Sequence, residues 1–169
     1  MNELERFRKE KDRFFAADPR SPLTPEQRRA FRGLHYFPAN RALALEVEAE
    51  EFPEKRVIEM QTTTGDVQKH VLWGRFRFAV DGQEAVLTLY AVGDEFFLPF
   101  VDSLAGKETY GAGRYLEPHR HGDGPFHIDF NYAYNPYCAY NERWSCPITP
   151  AENRLKVPIR AGEKLFESH

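Results

Sequence analysis

The stretch that decides the fold is Arg75-Phe76-Arg77-Phe78-Ala79-Val80-Asp81-Gly82-Gln83-Glu84-Ala85-Val86-Leu87-Thr88-Leu89-Tyr90. Apolar and polar side chains alternate along both arms, which is the period of a strand with one covered face. Between the arms lies Asp81-Gly82, a pair suited to a two-residue type I′ turn because both central residues must take positive φ. If the arms pair about that turn, Phe76 faces Leu87 and Phe78 faces Ala85, and the apolar side chains collect on one side. Arg75, Arg77, Glu84, Thr88 and Tyr90 then occupy the other side.

Working outward, the pattern predicts further strands. Leu43, Leu45 and Val47 alternate with Ala44, Glu46 and Glu48, and residues 57–63 are rich in β-branched side chains before a turn at Gly65-Asp66. A strand over 95–101 contains Pro99, which points to an edge or a bulge. Shorter strands are expected at 113–116, 126–131 and 155–160. Short strands at close spacing, with hairpin turns and no long interleaved helices, predict a mainly β fold: an antiparallel β-sandwich or barrel. Two short N-terminal α-helices precede it. Leu4, Phe7, Lys11 and Phe14 recur at helical spacing up to Asp18-Pro19, and Thr24-Pro25-Glu26-Gln27 presents an N-cap, a first-turn proline and a capping-box glutamine. The second helix is expected to run to about Gly33. The expectation is a single domain over residues 1–169, with the helical segment 1–33 packed on a β body spanning 41–166.

Composition narrows the function classes. With 41% hydrophobic and 29% charged residues, 14 Phe and 8 Tyr, the chain has a globular composition in which rings supply much of the buried area. A formal net charge of −3, with Lys and Arg scattered among acids, offers no footprint for nucleic acid. No apolar run is long enough for a bilayer, and the start, MNELERFRKEKDRFF, is charged from its third residue. A cytoplasmic protein with no membrane partner is expected. Oligomeric state is not indicated. Cys138 and Cys146 do not form a CxxC motif. Two buried thiols, a loop-closing disulfide or a reactive thiol all fit the spacing.

Three clusters carry side chains suited to chemistry. In Phe126-His127-Ile128-Asp129-Phe130-Asn131, strand alternation sends His127, Asp129 and Asn131 to one face, where a histidine near a carboxylate suits proton transfer or metal binding. A solvated strand face leading into a turn fits the same residues. The segment from Gly113 through His119 and His121 is similar to the start of the cupin metal motif, whose HxH supplies two imidazoles to one ion. The glutamate that should follow is replaced by Gly122-Asp123-Gly124-Pro125-Phe126, so a histidine-rich turn is the better reading. In the third cluster, Tyr132, Tyr134, Tyr137 and Tyr140 fall in a segment without strand or helix period. That segment reads as an ordered loop suited to a pocket wall. Nucleophile-elbow, P-loop, dinucleotide-fold, zincin and EF-hand motifs are missing from the sequence.

Glu108-Thr109-Tyr110-Gly111-Ala112-Gly113-Arg114-Tyr115-Leu116, Asp129-Phe130-Asn131, Ala133-Tyr134-Asn135-Pro136-Tyr137-Cys138-Ala139-Tyr140, Cys146-Pro147, Glu152-Asn153-Arg154-Leu155 and Ala161-Gly162-Glu163-Lys164 together resemble a family of uncharacterised bacterial and archaeal proteins known only as a domain of unknown function. The resemblance extends upstream through Phe31-Arg32-Gly33-Leu34 and Leu98-Pro99-Phe100-Val101-Asp102. It implies no activity. It places Arg114, Tyr115, Asp129, Asn131, Asn135, Cys138, Cys146, Asn153 and Arg154 in the family signature and leaves His119, His121 and His127 outside it.

The leading expectation is a soluble binding module, or an enzyme using the same pocket, that holds a small polar or anionic molecule. Its site would comprise Arg114, Tyr115, Asp129, Asn131, Tyr134, Asn135, Cys138, Asn153 and Arg154, with the arginines as charged donors and the tyrosines as a wall. Equally, Arg114, Asp129 and Arg154 suit ion pairs that close the sheet end. No cofactor is expected. The alternatives are a cupin-like enzyme holding a divalent metal at His119, His121, His127 and Asp129, and a structural or interaction protein without catalysis.

Overall fold

The hairpin forms in the expected register, Phe76 opposite Leu87 and Phe78 opposite Ala85, in the computed structural model, which describes residues 1–166. Asp81 and Gly82 take φ of 51° and 81°, as a type I′ turn requires. The strands are β1 Ala44–Val47, β2 Glu50–Glu51, β3 Val57–Gln61, β4 Val67–Val80, β5 Gln83–Val92, β6 Glu95–Phe100, β7 Arg114–Leu116 and β8 Phe126–Asp129. Helices α1 Glu3–Ala17 and α2 Pro25–Ala30 precede them. One sheet runs β2-β4-β5-β6-β7, with β3 also on β4, and a second pairs β1 with β8. All the ladders are antiparallel.

β4 starts well before the alternation at Arg75, because its first half pairs with β3 and its second half with β2 along the same edge. At the register shift between Leu72 and Gly74, a Cβ on Gly74 would lie 2.5 Å from the Glu50 carbonyl oxygen. Only glycine lets β2 approach so closely. Phe76, Phe78, Leu87, Leu89, Leu98 and Phe100 of the large sheet face Leu43, Phe126, Ile128 and Phe130, and the two sheets share this core. A single bridge from His119 to His127 links the segment after β7 to β8.

Pro99 marks neither an edge strand nor a simple bulge. β6 has neighbours on both sides, yet its ladder with β5 stops at Phe97, and Pro99 pairs only with Tyr115 of β7. The gap beyond Phe97 is filled by one side chain. Asn153 Nδ2 donates to the Thr88 and Pro99 carbonyls at 2.9 and 2.8 Å, and its Oδ1 accepts the Thr88 N–H at 2.8 Å. The amide replaces ladder bonds that a proline cannot make.

Four other expectations are corrected. Residues 155–160 form no strand: Val157 and Ile159 are buried, but the Val157 carbonyl accepts from Ser103 N–H and the Ile159 N–H donates to the Asp102 carboxylate. The strand expected over 126–131 ends at Asp129, whose carboxylate accepts the Asn131 N–H at 2.9 Å and starts a 3₁₀ turn over Phe130–Tyr132. Helix α2 stops at Ala30, short of Gly33, although its capping box forms as expected. Tyr90, expected on an open face, is fully buried, and its hydroxyl donates to Glu152.

α1 is capped by Asn2, whose side chain accepts the Glu5 N–H. It buries Phe15 against Leu23, Leu34 and Tyr140, with Tyr137 and Phe166 packed around them. The tyrosine-rich segment is therefore bound to the helices on one side and to the sheets on the other. Among the described residues, no helix is long and apolar enough to cross a membrane.

Candidate functional site: two grooves beside helix α1

Most of the polar residues expected at a ligand are committed to the protein itself. Arg114 is 1% exposed, and its guanidinium donates to the carbonyls of Ile159, Ala161 and Glu163, with Asp102 at 3.7 Å. Burial lowers its pKa, opposed by Asp102 and Glu163, and it stays charged at neutral pH. Asn131 accepts the Asn40 N–H and donates to the Asn40 carbonyl and to Asp129. Asn135 is buried, with its N–H on Glu163 and its Nδ2 on the Lys164 carbonyl. Asn153 bridges β5 and β6 as described. Arg154 is exposed and lines neither groove described below. The expected convergence of Arg114, Asn131, Asn153 and Arg154 on an anion does not occur, because three of them satisfy backbone groups that would otherwise be buried without partners.

Of the four tyrosines expected to form one wall, Tyr134 and Tyr137 line a groove together with Tyr115, whereas Tyr132 lines a second groove and Tyr140 is buried against Phe15. A cleft of about 700 Å³ runs between α1 and the segment 134–146. Phe7, Glu10, Lys11, Phe14 and Phe15 form the helix side, and Tyr115, Tyr134, Pro136, Tyr137, Trp144, Ser145 and Cys146 form the opposite side. Backbone bonds in both directions, 2.9 and 3.1 Å, tie Tyr115 to Tyr134 and set their rings edge to face at 5.9 Å. The Tyr115 hydroxyl donates to the Pro147 carbonyl and that of Tyr134 to Glu117. Tyr137 and Trp144 meet edge to face at 5.1 Å, and the indole N–H donates to the Pro22 carbonyl at 3.1 Å. These bonds fix the ring orientations before any ligand arrives.

The electrostatics of this groove are muted. Lys11 is paired with the buried Glu163, whose carboxylate also accepts the Asn135 N–H and the Tyr140 hydroxyl. Burial pushes the phenols of Tyr115 and Tyr134 far above their ordinary range, and the Cys146 thiol up to about 11. The walls are thus neutral hydroxyls, a thiol and rings, with Lys11 paired to Glu163 and the Glu10 carboxyl group on the helix side.

A second groove, about 670 Å³, lies on the other side of Phe7 and Tyr134, which line both. Here His119, His121, His127 and Asp129 come together with Glu3, Glu46 and Glu117. The His119 and His127 rings stack at 5.4 Å, His121 meets His127 edge to face at 5.9 Å, and His127 Nδ1 lies 3.3 Å from Glu46. Asp129 is partly occupied by Asn131. The three histidines are neighbours. Among the described residues, however, no group of three or more His, Cys, Asp or Glu side chains is placed to hold a metal ion.

Sequence reasoning missed the helix side of the first groove and Trp144. Phe7, Lys11 and Phe14 were visible as a stripe, but nothing in their spacing tells a groove wall from a buried face.

The family model described as "Protein of unknown function (DUF1684)" matches residues 29–164. The chain is similar to the solution NMR structure of the uncharacterized protein from gene locus rrnAC0354 of Haloarcula marismortui, with 33% identity and a TM-score of 0.71 over 95% of this chain and 91% of that one. No curated protein matches.

Proposed function

The chain belongs to the DUF1684 family of proteins of unknown function, whose description assigns no activity, and we propose from the site itself that this protein binds a small molecule with a planar, largely apolar portion in the groove between α1 and residues 134–146. One observation carries the reading: rings from three separate segments, Phe7 and Phe14, Tyr115, and Tyr134 through Trp144, wall a cleft whose volume is that of a small-molecule site. The hydroxyls of Tyr115 and Tyr134 and the indole of Trp144 are already bonded to the protein. Recognition is then by shape and ring contact, with Ser145 and Glu10 as polar contacts for the rest of the ligand. This differs from the anion suggested by Arg114 and Arg154, since neither guanidinium reaches the groove. The Tyr115 and Tyr134 hydroxyls and the Cys146 thiol, all neutral at neutral pH, suit binding better than proton transfer.

The test uses the protein's two tryptophans, Trp73 and Trp144. In a Trp73→Phe variant, Trp144 emission reports on the groove alone. Titration with indoles, aromatic carboxylates and anilinonaphthalene sulfonate is expected to give saturable quenching by at least one class, weakened about 10-fold by Tyr137→Ala, as loss of an aromatic anchor does. Emission that responds to none of them, or binding that Tyr137→Ala and Phe14→Ala both leave unchanged, refutes the proposal.

A further inference from the structure

Cys138 and Cys146 are presented to each other by two separately anchored segments. Cys146 is held on the β3–β4 turn: its N–H donates to Thr63 Oγ1 at 3.1 Å, its carbonyl accepts the Thr63 N–H at 3.0 Å, and Ile148 N–H donates to the Gln61 carbonyl at 2.7 Å. Cys138 sits in a 3₁₀ turn over Tyr137–Ala139. The two meet where the Cys138 N–H donates to Cys146 Sγ at 3.3 Å. Both are free cysteines, with Cys138 half-buried and Cys146 6% exposed on the groove wall. Tyr110 Oη lies 3.7 Å from Cys138 Sγ. Packing alone does not require two sulfurs about one backbone amide, since an aliphatic pair would fill the same volume.

We propose that Cys138 and Cys146 form a redox-active dithiol that a peroxide-class oxidant converts to an intrachain disulfide. In the first step a thiol, Cys138 being the more exposed, attacks a peroxide oxygen; the O–O bond breaks, Cys138 becomes a sulfenic acid and one water leaves. The Cys146 sulfur then displaces hydroxide from the sulfenic sulfur, the S–S bond forms, and the Cys146 proton departs with the hydroxide as a second water. Two thiols have given two electrons to one peroxide. Cys146, the more buried of the two and adjacent to Cys138 across the 3.3 Å N–H···S contact, takes the resolving role.

The bridge would close the segment 138–146, which carries Trp144, and fasten the Tyr137–Ala139 turn to the segment that Thr63 holds at Cys146. Trp144 and Asn141 are already tied to the Pro22 carbonyl. Oxidation would therefore stiffen one wall of the proposed groove. That consequence rests on the groove reading, whereas the covalent step does not.

The reduced chain is treated with hydrogen peroxide, digested without reductant and mapped by mass spectrometry, with anilinonaphthalene sulfonate fluorescence recorded before and after. The expected product is monomeric, carries a Cys138–Cys146 peptide short of two hydrogens, and is restored by dithiothreitol. Cys146→Ser is expected to let Cys138 proceed to sulfinic acid, because its resolving thiol is gone. Unbridged thiols, separate over-oxidation in the wild-type chain, or intermolecular bridges overturn the proposal. A bridge that forms while neither the dye, an indole nor an aromatic carboxylate binds either redox state contradicts the groove reading and leaves the redox pair standing.

Discussion

Arg114 and Arg154 read alike in the sequence and differ completely in the fold. Arg114 holds three carbonyls of the C-terminal segment and lies beside Asp102, which also accepts the Thr109 hydroxyl and the Ile159 N–H, whereas Arg154 is exposed. Arg114→Met should destabilise by about 3–5 kcal/mol in urea unfolding, since it strands a buried carboxylate and its carbonyls. Arg114→Lys should lose nearly as much, because one ammonium cannot span three acceptors arranged for a planar fork. Arg154→Met is expected to stay within about 0.5 kcal/mol of wild type, as exposed substitutions usually do. Equal effects at the two positions would contradict this assignment. The sequence could place both arginines near the end of a sheet. It could not show which one has another chain segment behind it, because a three-residue strand such as β7 leaves no long alternation to read.

At the scale of elements, local patterns with a built-in check were legible and long-range pairings were not. The β4–β5 register followed from alternation plus a turn that needs two positive φ values, and the α2 cap from four consecutive residues. Residues 155–160 have the composition of a strand, but their backbone partners are a loop and two side chains more than forty positions away. Asn153, which joins β5 to β6 past Pro99, reads as a ligand contact in the sequence because an amide that substitutes for a ladder looks no different there. Asn153→Ala should cost about 2–3 kcal/mol in thermal or urea unfolding by leaving buried backbone groups unmatched.

β4 also predicts a pH dependence. His70 is 4% exposed, with its ring 5.5 Å from that of Phe97 and 6.4 Å from that of Tyr90, and burial lowers its pKa from the ordinary 6.5. The folded state then binds its proton less readily than the unfolded chain, so stability is full above the unfolded value and falls as pH drops below about 6.5. His70→Leu should flatten that part of a plot of urea midpoint against pH. A plot unchanged in slope would show that His70 does not titrate differently on unfolding.

Across the whole molecule, the first groove depends on parts of the chain far apart in sequence. Lys11 of α1 pairs with Glu163, 152 positions away, and that contact fixes the helix against the tyrosine segment. Lys11→Met alone should destabilise by about 3 kcal/mol, and adding Glu163→Gln should recover part of the loss, giving a coupling energy measurable in a double-mutant cycle. The family match begins at residue 29, beyond α1, while the similarity to the Haloarcula marismortui structure covers 95% of the chain. Sequence reasoning found the tyrosine wall and missed the helix opposite it, since a groove is a relation between two surfaces and periodicity describes only one at a time.

The most direct test of the central claim is chemical-shift mapping by NMR on the isotope-labelled chain, titrated with whichever aromatic probe quenches Trp144. The account predicts saturable shifts concentrated at Phe7, Phe14, Tyr115, Tyr134, Tyr137 and the Trp144 indole, with His119, His121 and His127 little changed. Shifts centred on the three histidines, or spread thinly over the surface without saturation, would contradict it.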